Sequence, residues 1–185
     1  MDKDIRVLAF QRDGDRTYLW AGFAAVGGAA GDGLMRIEAR VDGIDAGGWK
    51  PFGKGWQGGS CKGIDFAEGT VVAGTNSMGV LTLDLGLAEA EQAWRAPPLT
   101  CGLPINAERK ALSPITRVAA QAGRDGGVGI LAGSAQGVFY SQDAQAYVPT
   151  GMTTYAEQVP LPAHWLYCVG THAITVAREQ QDPEP

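Results

Sequence analysis

The chain has 185 residues, 27 of them Gly and 10 Pro, with a formal net charge of −5 and a sequence pI of about 5.0. Its 45 % hydrophobic and 19 % charged residues are too apolar a mixture for a disordered chain and suit one domain. Lys and Arg stand singly, without the basic stripe that grips phosphate backbones, and no apolar run approaches the roughly 18 residues of a membrane-spanning helix.

Nucleic acid and membrane surfaces are therefore not expected as partners. Met1, Asp2, Lys3 and Asp4 lead straight into a strand-like run, without the basic start and apolar middle of a signal peptide. The three cysteines, Cys61, Cys101 and Cys168, are an odd number without metal-type pairing, and free buried thiols in the cytoplasm are the expectation.

Taken in chain order, short apolar runs rich in Val, Ile and aromatics alternate with turn residues, the signature of strands. The first unit runs through residues 5–10, a turn at 11–16, residues 17–23, a glycine-rich excursion, residues 33–38 and residues 49–52. The second has residues 62–66, a turn at Glu68 and Gly69, then 70–75, 79–84 and 94–97. The third has residues 115–120, a turn at 123–127, then 129–134, 137–141 and 147–149. A partial fourth copy covers residues 165–171 and 173–176.

Ala-Gly pairs at 21–22, 73–74 and 132–133 mark the second strand of each full unit. Small residues suit strands that crowd near a common axis. The fourth strand of each unit opens on an aromatic (Trp49, Trp94, Tyr147) and soon meets a proline, which fits an outer edge.

Four-stranded antiparallel units at this spacing predict an all-β, β-propeller-like fold. About three blades are expected, at approximately 5–53, 61–97 and 115–150, plus a partial fourth at 164–177. They form a single domain over 1–177, followed by a disordered polar tail at 178–185. A sandwich or meander with accidental periodicity is the alternative. Three blades and a fragment fall short of the roughly four to eight that close a ring. Either the two ends join, with residues 5–10 completing the last blade, or another chain supplies the rest.

Residues 131–151 resemble one blade of the BNR, or Asp-box, propellers. Gly137, Val138 and Phe139 lead to Ser141 and Asp143, matching the family's Ser and Asp, and Tyr147 stands one residue early for its aromatic. Gln145 replaces the motif's Gly. The second unit keeps Gly79, Val80 and Asp84 without the Ser, and the first keeps Gly33 and Trp49. The resemblance implies a propeller whose Ser141, Asp143 and Tyr147 form a structural turn. It invites a carbohydrate-binding or glycoside-cleaving role, but fold analogy is a weak warrant for activity.

No convincing catalytic set accompanies it. Glycosidase chemistry needs two converging carboxylates, or a tyrosine nucleophile with its acid. Asp13, Asp15, Glu68 and Asp125 lie in turns, and Asp65 and Asp84 read as paired or solvated strand residues. His164 and Cys168 on one strand would stand about 13 Å apart, too far to share a metal with each other or to include His172. Gly127 and Gly129 imitate a dinucleotide fingerprint but precede a strand, where no helix N-terminus can meet a phosphate. No cofactor or metal is expected.

Contact surfaces are sought in the loops. Residues 53–59 place Lys54 and Trp56 in a glycine-rich loop, where Trp56 either anchors a partner or packs back on a blade edge. Residues 101–113 form a long inter-blade loop carrying Arg109 and Lys110. The function expected is non-enzymatic, a structural or docking module in a larger assembly that a protein partner or self-association completes. The ending at residues 165–176 resembles small baseplate proteins of phage-tail-like contractile injection systems. Carbohydrate binding or cleavage is the alternative.

Overall fold

A computed structural model of the chain describes residues 4–26, 29–123 and 126–151, except for the side chain of Ala46. Beyond them it describes the backbone of strands at 154–155, 159–160, 165–169 and 173–177. The fold is all-β. Among the described residues, only two single 3-10 turns, at Ala46–Gly48 and Glu89–Glu91, interrupt the strands.

Strands β1 (Ile5–Asp13), β2 (Arg16–Phe23), β3 (Leu34–Ala39) and β4 (Lys50–Phe52) pair antiparallel in chain order. So do β5 (Cys61–Ala67), β6 (Thr70–Thr75) and β7 (Val80–Asp84), and later β10 (Ile115–Ala122), β11 (Val128–Ser134), β12 (Gly137–Ser141) and β13 (Val148–Pro149). The β5–β6 hairpin turns on Glu68 and Gly69, both at positive φ (47° and 74°), the twist that a tight two-residue turn requires.

Two sequence expectations change here. The fourth strand expected at 94–97 shrinks to a single bridge between Thr82 and Arg95, because Pro97 and Pro98 bring no amide donor to extend the ladder. The segment expected as a plain loop at 101–113 contains a small hairpin, β8 (Ile105–Asn106) with β9 (Ala111–Leu112).

Further hairpins, β14 (Thr154–Tyr155) with β15 (Val159–Pro160) and β16 (Trp165–Val169) with β17 (Ala173–Ala177), follow the third sheet. The first strands pack in succession: β5 against β1, β10 against β5 and β16 against β10. Strand β16 thus takes the place of a first strand. Strand β1 pairs with β2 in its own sheet. The described residues do not form a closed barrel.

The first strand of each full unit, β1, β5 and β10, carries a bulge at the same place. The pairing skips one residue between Ile5 and Val7, between Cys61 and Gly63, and between Ile115 and Arg117. Opposite each bulge stands the glycine of the Ala-Gly pair, and there the next unit presses in. A methyl group built on Gly22 would lie 2.6 Å from Cys61 Sγ, and one on Gly74 would lie 2.8 Å from the Ile115 carbonyl oxygen. The small residues are demanded by the neighbouring unit's first strand.

Two apolar layers hold the units together. Trp20, Leu34 and Phe52 of the first sheet pack with Val71, Ala73, Leu81 and Leu83 of the second. The second sheet's opposite face, with Val72 and Val80, packs with Val118, Ala120, Ile130 and Phe139 of the third.

Candidate docking face

The register assigns every side chain to one face or the other, since successive residues of a strand alternate. Opposite the Ala of each Ala-Gly pair stand Leu8, Ile64 and Val118, and two residues further along come Phe10, Phe66 and Ala120. In the second unit Ile64 and Phe66 pack on the first unit, with the Phe66 ring 5.7 Å from that of Trp20. In the third, Val118 and Ala120 are buried against the second. The equivalent residues of the first unit, Leu8 and Phe10, are 57 % and 68 % exposed. The face by which each later unit docks on its predecessor is uncovered in the first. On the same face Leu19 and Met35 are half-buried, while Ala21 and Ile37 are buried, Ile37 at the edge of an open cleft of about 350 Å³.

This face eluded the loop-centred expectations. The signal was present in the spacing of Leu8 and Phe10, but only the pairing of units distinguishes them from Ile64 and Phe66.

The loop residues turn out as follows. Trp56 is turned inward, 5 % exposed, with Nε1 donating to the Gly59 carbonyl (3.0 Å) and its ring edge-on to Trp94 at 5.1 Å. Of the two placements expected for it, Trp56 takes the packed-back one, as a joint between units. An indole this large is worth more buried against Trp94 than exposed. Lys54 is exposed, but its ammonium donates to the Ala90 carbonyl and its own carbonyl accepts from Trp94 N (2.9 Å). Arg109 and Lys110 are exposed at the β8–β9 turn, where Arg109 N donates to Asn106 Oδ1 (3.1 Å) and Lys110 takes φ 50°.

The Asp-box-like turn is built from its own side chains. Ser141 Oγ donates to Asp143 Oδ1 (3.0 Å) and accepts from Ala144 N (2.9 Å). Asp143 Oδ1 also accepts from Gln145 N and Ala146 N at 2.8 and 2.9 Å, and these amides hold its carboxyl below the usual range. The positive φ falls on Ala144 (61°) and not on Gln145, so the missing Gly is replaced by strain one residue earlier. Tyr147 is buried, its N–H donates to the Cys101 carbonyl (2.6 Å), and its hydroxyl has no partner among the described residues. By register Asp84 aligns with Gln142 and not with Asp143; it caps its own turn by accepting from Gly86 N (2.8 Å).

No family model and no curated protein matches the chain.

Among the described residues, no group of three His, Cys, Asp or Glu side chains could hold a metal ion, and no helix is long and apolar enough to cross a membrane. His164, His172 and the tail at 178–185 lie outside the described residues, as does the side chain of Cys168 in β16. Gly129 lies inside strand β11.

Proposed function

We propose that the chain is a non-enzymatic structural or docking module of the β-propeller type, completed by a second copy that packs a sheet on Leu8 and Phe10. The observation that carries this reading is the uncovered face of β1, whose equivalents in the next two units are both covered by a sheet of this same chain. A face that fits it is therefore the face of a unit of this repeat. The self-capped turn at Ser141 and Asp143 supports the blade reading.

The described carboxylates also favour a structural role. Asp65, Asp84 and Asp143 are spent on backbone amides, not aimed at a shared reacting centre. An assembly of this kind suits a component of a larger particle, of which a phage-tail-like contractile injection system is one instance.

Light scattering on a sizing column tests the proposal. The wild-type chain is expected to run as a species of defined mass above the monomer, and Phe10→Asp as a folded monomer. A wild-type monomer at every concentration overturns it. So does hydrolysis of a chromogenic glycoside that a single carboxylate substitution abolishes, which would establish the carbohydrate reading instead.

A further inference from the structure

The three bulges do more than bend the strands. A bulge leaves its extra residue out of the ladder and re-aims that side chain, and bulges recur beside functional sites for this reason. The residues skipped by the pairing are Arg6, Lys62 and Thr116, one from each unit. Because β1, β5 and β10 pack side by side, these three positions converge, and together with Ser60, Cys61 and Arg117 they line a cavity of about 330 Å³.

Among the described residues, its walls carry three cations and no carboxylate. Arg117 is fixed by donating from Nη1 to the Thr116 carbonyl (2.7 Å) and, across the unit boundary, to the Lys62 carbonyl (3.3 Å). Arg6 is steadied from outside the cavity by Asp4, at 2.7 Å. Lys62 is half-buried and, among the described residues, has no ion pair. The remaining ionisable group in the lining adds no negative charge, since burial pushes the Cys61 thiol up to about 12. Three cations in a chain of net charge −5 are a local reversal of the molecule's field, and the half-burial of Lys62 and Arg117 strengthens their pull on an anion.

We propose that this cavity binds a multivalent oxyanion of the phosphate class. Lys62 supplies the uncommitted charge, while Arg6 and Arg117 complete the cradle from the neighbouring units. The proposal is independent of the docking face, which lies on Leu8 and Phe10.

Calorimetric titration with inorganic phosphate, at ionic strength held constant with chloride, tests it. One phosphate per chain is expected. Lys62→Ala should weaken binding on the order of tenfold or more, the scale of one charge-assisted contact. Lys62→Arg should retain it, and Lys50→Ala, on β4, should leave it unchanged. Because Lys62→Ala could also loosen the bulge, its melting temperature without phosphate is measured alongside. A fold as stable as wild type with lost phosphate binding supports the site. Absence of binding to the wild type, or equal binding by wild type and Lys62→Ala, overturns it.

Discussion

Asp65 shows what a single side chain does at a unit boundary. It sits in β5 and accepts from Ala120 N in β10 (2.7 Å) and from Phe66 N (2.9 Å), so it ties two first strands together. Burial raises its pKa, and the two amide bonds only partly offset that. Between the ordinary aspartate value of about 4 and the raised folded value, the folded state holds a proton that the unfolded state has lost. Stability from this group therefore falls as pH rises through that window. Exposed Asp143 and Glu89, whose values are lowered, act in the opposite sense. Denaturant titrations of wild type and Asp65→Asn across acidic pH should isolate the effect. The wild type should gain on Asp65→Asn as the pH falls. A difference that does not change with pH would exclude the raised value.

Tyr147 offers a second test at this scale. Its ring fills the third unit's core, but its buried hydroxyl has no partner among the described residues, and desolvation holds the phenol well above its usual range. Tyr147→Phe should stabilise the fold by about 1 kcal/mol, read as a higher melting temperature. The self-capped turn was legible in sequence because Ser141 and Asp143 act within five residues of themselves. The position of positive φ was not, because Ala144 is an unfavourable residue there and nothing in its chemistry advertises the strain.

At the scale of the element, strand identity and order followed from alternation and turn chemistry, and the Ala-Gly pairs pointed correctly to crowding. The cause lay elsewhere than the sequence suggested. Gly22 and Gly74 are small because the next unit's first strand, at Cys61 and Ile115, occupies the space of a side chain. Gly74→Ala drives a methyl group into backbone, which cannot swing aside, and should cost about 1–3 kcal/mol in urea unfolding. Gly47→Ala, where the nearest atom is 3.4 Å from the added carbon, should be nearly neutral and serves as the control. The bulges escaped the sequence reading altogether. A bulge is a mismatch between two strands, and Arg6, Lys62 and Thr116 share no residue type that would announce it.

For the whole molecule, Phe10 and Phe66 are the decisive comparison. They occupy one position of the repeat, yet Phe66 lies on Trp20 and Phe10 faces solvent. A benzyl group that stays 68 % exposed in the isolated chain contributes little to its folding, so Phe10→Asp should change monomer stability by no more than about 0.5 kcal/mol. The same substitution removes the apolar patch from the proposed contact between copies, where a buried Phe is worth about 2 kcal/mol per side. Loss of the higher-mass species with an unchanged melting curve is the outcome expected. If Phe10→Asp unfolds the chain, the face belongs to the fold itself.

The all-β class, the repeat and the turns were legible in the sequence, because strand alternation and positive-φ residues are local properties of a few neighbours. The sequence left open which aromatic is a joint and which is a face. Phe10 and Phe66 are the same residue type at one position of the repeat, and their fates differ by whether a neighbouring unit lies above them. The cationic cavity was equally hidden, since Arg6, Lys62 and Arg117 are scattered through more than a hundred residues of chain. Only the packing of first strand on first strand brings them to one place. Burial and electrostatic focusing are set by distance in space, and distance along a chain does not encode it.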